Sequence, residues 1–157
     1  YSQNLDLSSA EIKYYGSHAM HNWTGTSTQA RSQIFYDDVT KTGSVTIRVR
    51  LDSFDSKLSS RDSNMLYYTD ALDFPEVVFK STQANVDRDS VYIEGDLTFH
   101  GITKKIKTSA YIQIDNNPTV SGSFQINLSD FNVRRPSLMF IKIKDEVRIN
   151  YLFKTVQ

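Results

Sequence analysis

The sequence predicts an all-β domain: an antiparallel barrel or sandwich of seven or eight strands with one short helical insert. Apolar and polar residues alternate along several short runs, which is the period of a strand with one buried and one solvated face. Val, Ile, Thr, Tyr and Phe concentrate in those runs, and the 157-residue chain holds only 3 prolines and 6 glycines. The two-residue rhythm is lost between residues 52 and 74, where a helix is expected.

Composition is typical of a single globular domain, and we treat residues 1–157 as one domain. The 18 basic and 18 acidic side chains cancel, which argues against broad electrostatic binding to nucleic acid or to an anionic membrane. No apolar run approaches the ~20 residues that span a bilayer, so stable membrane insertion is not expected. The absence of cysteine excludes disulfides, zinc–thiolate sites and thiol nucleophiles. Because the chain begins with Tyr1 rather than Met, we expect that a targeting segment has been removed.

The first part of the chain predicts three strands. Ala10–Tyr15 is a short strand, and Trp23–Tyr36 is a long, mostly polar strand interrupted by Gly25. Ser44–Leu51 follows a turn at Thr42–Gly43 and alternates cleanly. The small residues on one face of the long strand suit either a cavity wall or an exposed edge strand. That predicted inward face consists of Thr24, Thr26, Thr28, Ala30, Ser32 and Ile34.

A short amphipathic helix of two to three turns is expected where the strand rhythm is lost. Ser59 or Ser60 can cap it, and Asp62 falls in its first turn, where a negative charge favours the exposed N–H groups. Phe74–Pro75 is expected to end it, because a residue before proline avoids the helical region. A lone helix in a β chain usually covers an open end of the sheet. Its predicted apolar face includes Met65 and Leu66.

The second part of the chain predicts the remaining strands. Pro75–Thr82 is one strand, and Val91–Ile114 is a hairpin that turns at His100–Gly101. Thr119–Leu128 and Lys142–Lys154 alternate in the same way. Each of these runs gives one apolar and one solvated face.

No arrangement of residues indicates catalysis or a metal. His18 and His21 point to opposite faces if they share a strand, and His100 falls in a turn. The sequence contains no G-x-S-x-G elbow, no phosphate loop and no pair of acids in apolar surroundings. A hydrolase or isomerase acting inside the barrel would need an inward acid or base, and the predicted inward set offers only the phenol of Tyr151.

One basic concentration stands out near the end of the chain. Arg134 and Arg135 precede Pro136, with Lys142 and Lys144 nearby. These side chains would suit an anionic head group through charge-assisted hydrogen bonds. The alternative is an ordinary solvated loop.

The inward apolar faces cover either a dry packed core or a cavity that holds a ligand. Several inward positions are small or polar, namely Gly95, Thr108, Ala110 and Gly122. Alternation of small and large residues can fill a tapering barrel or leave room for a chain-like molecule. The residues by themselves leave both alternatives open.

Three motifs resemble the YceI-like family, bacterial lipocalin-like barrels that bind polyisoprenoids. They are the segment from Ser60-Arg61-Asp62 to Leu66, the run DFPEVVFKST at 73–82 and the run GDLTFHGITK at 95–104. Their order and spacing extend the likeness over nearly the whole domain. The Arg134-Arg135-Pro136 segment departs from the common form of the family.

The resemblance implies an eight-stranded antiparallel lipocalin-like barrel closed at one end by the helical insert. It further implies a long apolar ligand in the barrel, a periplasmic or secreted location after signal-peptide removal, often a homodimer, and no catalysis or cofactor. The favoured hypothesis is therefore binding, transport or sequestration of an isoprenoid or similar amphipathic lipid, such as a polyisoprenoid, prenyl quinone or fatty acid-like molecule. The alternative is a non-catalytic structural or interaction module with a filled barrel core.

These hypotheses assign roles to particular residues. His21, Arg134 and Arg135 are predicted to contact a head group, and Met65 and Leu66 to lie at the capped end. The residues predicted to line the barrel are Val45, Ile47, Val49, Phe79, Ile93, Leu97, Ile106, Ala110, Ile112, Phe124, Ile126, Val147, Ile149 and Tyr151.

Overall fold

The computed structural model describes residues 2–113 and 117–156, and these form an antiparallel β-barrel with a helix at one end. Ile114, predicted to end the hairpin, lies outside the described residues. The helix is α1 (Ser59–Tyr68), and two 3-10 turns lie at Leu51–Ser53, before α1, and at Leu128–Phe131, after β8. The strands are β1 (Ser2–His18), β2 (His21–Ser27), β3 (Arg31–Asp37), β4 (Thr42–Arg50), β5 (Glu76–Asp87), β6 (Ser90–Phe99), β7 (Ile102–Gln113), β8 (Thr119–Asn127), β9 (Ser137–Leu138), β10 (Ile141–Lys142) and β11 (Glu146–Val156).

The barrel closes through the first and last long strands. The strands are hydrogen-bonded in the order β11-β8-β7-β6-β5-β4-β3-β1, and β11 also pairs with β1, from Asp6↔Val156 to Tyr15↔Arg148. β3 and β2 pair with successive parts of the same edge of β1, so they share one position in the wall. The described strands therefore occupy eight positions around a closed barrel, which confirms the predicted architecture.

The predicted strand Trp23–Tyr36 is two strands rather than one. The chain turns between β2 and β3, where the Ser27 hydroxyl accepts a hydrogen bond from the Gln29 N–H and bonds the Ser53 hydroxyl at 2.6 Å. Such a side chain-to-backbone bond offers the chain an alternative to the sheet ladder. The break changes which residues face inward, because Trp23 rather than Thr24 borders the barrel interior, whereas Ile34 does so in β3. The predicted inward face is thus wrong for β2, whereas in β3 Ile34 borders the interior together with its neighbours Phe35 and Tyr36.

Other strand boundaries also differ from the prediction. β1 is longer than Ala10–Tyr15, because its polar first half pairs with β3 and β11. Lys142–Lys154 is not one strand, since Lys142 belongs to β10 and β11 begins at Glu146. Between them, the Ile143 N–H donates to the Pro136 carbonyl and the Lys144 N–H to the Ser17 carbonyl. These bonds turn the segment across the end of the barrel.

Helix α1 forms as expected but begins and ends differently. Leu58 is its N-cap, without a side-chain hydrogen bond, so neither Ser59 nor Ser60 caps it. Asp62 lies in the first turn, and its carboxylate accepts hydrogen bonds from the Ser56 N–H at 3.1 Å and the Ser56 hydroxyl at 2.6 Å. The helix ends at Tyr68, six residues before Phe74, and Asp70 adopts a left-handed conformation, φ 51°, that reverses the chain. No helix in residues 2–113 and 117–156 is long and apolar enough to cross a bilayer.

His100 joins three segments beneath the helical end. The residue occupies the predicted β6–β7 turn with a φ of 56°. Its Nδ1 lies 2.7 Å from the Phe131 carbonyl oxygen and its Nε2 lies 2.7 Å from Asp70 Oδ2. The imidazole therefore ties the turn after α1 and the turn after β8 to the hairpin. The apolar cluster buried beside it comprises Leu51, Leu97, Phe99, Leu128, Phe131, Val133 and Val147.

Candidate functional site

The barrel encloses a cavity of about 1050 Å3. Its wall is the apolar face of the strands, as alternation along the sequence requires. A solid core would have left no such volume, since protein interiors are close-packed with few voids larger than a water molecule. A volume near 1000 Å3 is at the upper end of the range for small-molecule sites.

The structure places the predicted lining residues around this cavity, with one exception. Ala110 is buried, with 3% of its surface exposed, but it does not border the cavity. It pairs with Gly122 across β7 and β8, and the Tyr151 ring packed over that glycine occupies the adjoining space. The other residues of that predicted set border the cavity, namely Val45, Ile47, Val49, Phe79, Ile93, Leu97, Ile106, Ile112, Phe124, Ile126, Val147, Ile149 and Tyr151.

Glycines on the neighbouring strands explain why aromatic side chains do not plug the barrel. Four inward aromatic side chains pack directly over glycines of the wall, where a methyl group on the glycine would overlap the aromatic side chain. This is the packing by which aromatic residues cover strand glycines. The rings thereby widen the lumen instead of crossing it. The pairs are Tyr14 over Gly25, Trp23 over Gly16, Phe79 over Gly95 and Tyr151 over Gly122.

Near the α1 end of the cavity lies the buried hydroxyl of Tyr14. Tyr14 borders the cavity, and among the described residues its hydroxyl oxygen finds no donor or acceptor. Burial, and secondarily the negative charge of Asp62, raises the pKa of this phenol against a smaller lowering by the adjacent Trp23 side chain, so the phenol stays a neutral donor near pH 7. An unsatisfied buried hydroxyl costs about 1–3 kcal/mol. A ligand oxygen beside Tyr14 would relieve that cost.

Arg61 adds a positive charge at the same end, and the sequence reasoning did not assign it a role. Its Nε donates to the Ser56 hydroxyl at 2.9 Å, and its guanidinium carbon lies 5.8 Å from the Trp23 ring centroid. These contacts hold the guanidinium at the cavity border. Its position inside the Ser60-Arg61-Asp62 motif was the sequence feature that could have indicated this role.

The three residues predicted to contact a head group separate in the structure. His21 borders the cavity, with its ring centroid 5.3 Å from that of Trp23. Arg134 also borders it, and its guanidinium carbon lies 5.3 Å from the ring centroids of both Tyr67 and Tyr68. Arg135 does not border the cavity. It donates to the Ile143 carbonyl at 3.0 Å and approaches Asp145 at 3.8 Å, so the predicted contact is corrected to a structural one.

The two residues predicted for the capped end also differ. Met65 borders the cavity, whereas Leu66 does not and instead packs against the buried cluster beneath α1. Successive helical residues point about 100° apart, so one of the two must turn away from the lumen. Of the two predicted residues, Met65 alone therefore contacts the lumen.

The cavity extends to the opposite end of the barrel. Residues of the β3–β4 and β5–β6 turns border it there, including Asp38, Lys41 and Arg88. Lys41 Nζ lies 2.8 Å from Asp38 Oδ1. A ten-residue strand tilted by about 40° spans roughly 25 Å along a barrel axis, which sets the length of the lumen. These turn residues were missed because the lining was predicted from strand faces alone.

Two other titratable side chains that border the cavity make structural hydrogen bonds. The Tyr151 hydroxyl lies 3.0 Å from Thr108 Oγ1, and burial raises the pKa of this phenol. The buried His18 bonds two backbone carbonyls through Nε2. Within residues 2–113 and 117–156, no group of three or more His, Cys, Asp or Glu side chains could hold a metal ion.

Comparison with known proteins agrees with this geometry. The model of the YceI-like domain matches residues 3–155. BcnA of Burkholderia cenocepacia has a TM-score of 0.83 at 19% identity, covering 94% of this chain and 96% of that one. A polyisoprenoid-binding domain from Saccharophagus degradans, implicated in plant cell wall breakdown, has a TM-score of 0.74 at 13% identity, covering 98% and 97%. At these identities the likeness shows the fold.

Among curated proteins, the UPF0312 protein plu2095 of Photorhabdus laumondii is 26% identical over 99 residues. The alignment covers 57% of this chain and 52% of that protein. A UPF0312 protein from Enterobacter sp. strain 638 matches in the same way, at 26% identity over 98 residues. The chain thus spans about half the length of the curated relatives that it matches.

Proposed function

We propose that this chain, which belongs to the YceI-like domain family, binds an isoprenoid or similar long-chain amphipathic lipid inside its barrel. The observation that carries the proposal is the apolar cavity of about 1050 Å3 that runs from α1 to the far turns. Its length and narrow apolar wall fit a chain-like molecule better than a compact one. The polyisoprenoid-binding domain of S. degradans shares this fold, which supports the same class of ligand.

Burial of hydrocarbon would supply most of the affinity. Removing apolar surface from water contributes ~25 cal/mol per Å2, so a tail that buries ~400 Å2 gains on the order of 10 kcal/mol before the costs of binding. The wall already exposes its apolar groups to the lumen, and the rings already pack over the glycines. Little reorganisation is therefore needed before the tail enters.

The polar groups orient the ligand with its head at the α1 end. Tyr14 offers a hydroxyl that makes no well-aligned hydrogen bond within the described residues, and Arg61, Arg134 and His21 border the cavity nearby. A head group with acceptor oxygens, such as a quinone or a phosphate, would satisfy these donors. The tail would then extend towards Asp38 and Lys41.

We further propose that the protein carries or sequesters its lipid rather than transforming it. The middle of the lumen is lined by apolar residues and by the neutral phenols described above, which offer no base for catalysis. Likeness to bacterial YceI-like barrels supports a periplasmic or secreted location and a homodimer as expectations. The filled-core alternative is not favoured, because the barrel is hollow.

Two measurements test lipid binding. Organic extracts of the native protein, analysed by mass spectrometry, should contain a prenyl-chain lipid. Delipidated protein should bind a prenyl quinone and lose the fluorescence of Trp23, the single tryptophan, which borders the cavity. Extracts that contain no lipid, together with a titration that leaves the fluorescence unchanged, would refute the proposal.

A matched pair of variants separates the lumen from the surface. Ile93 borders the cavity, and its neighbour Tyr92 faces outward with 41% of its surface exposed. Ile93→Phe places a ring in the lumen and should weaken quinone binding at least ~10-fold, since overpacking a binding channel costs more than ~1.4 kcal/mol. Tyr92→Phe leaves a phenyl ring on the outer face and removes only its hydroxyl, so this control variant should bind as the wild type does.

A further inference from the structure

A hairpin beside the cavity mouth exposes four consecutive apolar residues. The hairpin is formed by β9 and β10, with the pairs Leu138↔Ile141 and Ser137↔Lys142. Residues 138–141, Leu-Met-Phe-Ile, form its tip, which we call the apolar tip. The exposed fractions are 47% for Leu138, 68% for Met139, 103% for Phe140 and 49% for Ile141. Scattered exposed apolar residues are ordinary, but a contiguous group of this kind marks an interaction surface.

The turn chemistry shows that hairpin stability does not account for these residues. Met139 and Phe140 occupy the two central positions with φ of 55° and 66°. A two-residue turn with positive φ at both positions favours Asn-Gly, because bulky side chains strain the left-handed conformation. Large apolar residues are therefore placed at a strained position where they contact solvent. Strain of this kind is a pointer to function.

The tip projects from a fixed base. The buried imidazole of His18 holds both arms, because its Nε2 lies 3.1 Å from the Leu138 carbonyl oxygen and 2.9 Å from that of Ile141. Its Nδ1 accepts the Met20 N–H at 3.1 Å. Met20 is itself apolar and 63% exposed, so it extends the exposed apolar surface. Ser137 and Leu138 border the cavity, which places the tip at its mouth.

Basic side chains surround the apolar tip. Residues 134–144 carry Arg134, Arg135, Lys142 and Lys144 and no acid, although the whole chain has a net charge of +0. Asp70 lies 4.0 Å from Arg134 and Asp145 lies 3.8 Å from Arg135. In the described part of the chain, no carboxylate lies within 4.0 Å of the amino groups of Lys142 and Lys144. Two cations beside the tip are thus available to an external anion.

We propose that the apolar tip docks on the surface of a lipid bilayer that contains anionic lipid. The tip carries apolar side chains on a convex projection that is flanked by lysines. At the surface of such a membrane, the apolar side chains would contact lipid hydrocarbon and the lysines would contact lipid phosphate. The tip is too short to span a bilayer, so docking is shallow and reversible. It would set the cavity mouth against the membrane. Passage of a ligand through this mouth rests on the proposed function. Docking on the membrane does not depend on that function.

Vesicle sedimentation tests the proposal directly. The wild type should sediment with vesicles of phosphatidylcholine and phosphatidylglycerol, less with phosphatidylcholine alone, and less as salt rises. The double variant M139N/F140G replaces the tip with the turn sequence that the backbone prefers, so it should fold, and its partitioning should fall on the order of ten-fold. K142Q/K144Q should lose the preference for anionic vesicles. Val39→Asn, at the opposite end and 76% exposed in the wild type, should leave partitioning unchanged.

The outcomes decide between docking and its alternatives. Failure of the wild type to sediment with either vesicle, or unchanged partitioning of M139N/F140G, would overturn the proposal. Tip-dependent self-association in analytical ultracentrifugation, without vesicle binding, would overturn it in favour of a contact between two copies. Titration with prenyl quinone in the absence of vesicles measures ligand binding in the lumen independently of membrane docking. M139N/F140G should bind the quinone as the wild type does, while a wild type that docks but binds no quinone would refute the lipid-binding proposal alone.

Discussion

Substitution of Gly122 by alanine should move the Tyr151 ring from the wall towards the lumen. A methyl group at residue 122 would overlap the phenol ring and lie 3.1 Å from the Ser109 carbonyl oxygen. The ring can give way only by moving into the cavity that it borders. That movement would also break the buried contact of 3.0 Å between the Tyr151 hydroxyl and Thr108 Oγ1.

The magnitude follows from these contacts. Overpacking costs about 1–3 kcal/mol and a lost buried hydrogen bond about 1 kcal/mol. Reduced freedom of the unfolded chain returns about 0.4–1 kcal/mol where alanine is tolerated. We therefore expect Gly122→Ala to lower the free energy of unfolding by roughly 1–3.5 kcal/mol. For a chain of this length, that corresponds to a fall in Tm of roughly 2–14 °C.

Urea unfolding in a double-mutant cycle is the assay. In the Tyr151→Leu background the ring is absent, so the effect of Gly122→Ala should fall below about 0.5 kcal/mol, with a coupling energy of at least ~1 kcal/mol between the two sites. The single variant should also bind prenyl quinone more weakly, because the displaced ring narrows the lumen. Additive effects of the two substitutions would refute the argument that glycines keep the barrel open.

Three further predictions concern the His100 contacts, pH and the ligand. His100→Ala should lower the free energy of unfolding by about 2–4 kcal/mol, because it leaves the Phe131 carbonyl and the Asp70 carboxylate without their hydrogen-bond partner. The control variant His21→Ala should change that free energy by less than ~0.5 kcal/mol. Similar urea midpoints for the two variants would contradict this. Burial raises the pKa values of Tyr14 and Tyr151, so these phenols ionise at a lower pH in the unfolded state than in the folded state. The free energy of unfolding should therefore be constant up to about pH 10, fall as the pH rises further, and fall less steeply in Tyr151→Phe. A Tm that does not change with pH in either protein would contradict this. Removal of bound lipid should lower the Tm, and prenyl quinone at ~100 times its Kd should restore about 2.7 kcal/mol; no shift in calorimetry would argue against the lumen as its site.

The sequence predicted the barrel because alternation is a local property of a strand. Ile93 and Leu97 face inward for the same reason that Glu94 and Asp96 do not: successive side chains of a strand point to opposite faces. The same reasoning failed at Trp23–Tyr36, since the break there depends on a hydrogen bond between Ser27 and the remote Ser53. No pattern within the strand reports such a bond.

The apolar tip shows a second limit of local patterns. Residues 137–142 have the alternation of neither a long strand nor an amphipathic helix, and the run Leu-Met-Phe-Ile would ordinarily be buried. It is exposed because His18, in β1, holds both arms of the hairpin at the rim. The sequence singled out the basic residues around the tip as a binding segment. That the apolar side chains between them are exposed is known only from their position in the fold.

By itself, the sequence determined the apolar face of most strands and which family the chain resembles, because both depend on order and spacing along the chain. Whether that interior is hollow was decided by tertiary structure. An inward aromatic side chain can cross the lumen or fold against the wall, and its choice depends on the residue opposite it on another strand. Here Gly25, Gly16, Gly95 and Gly122 lie beneath the rings, so the rings pack over them and the lumen stays open.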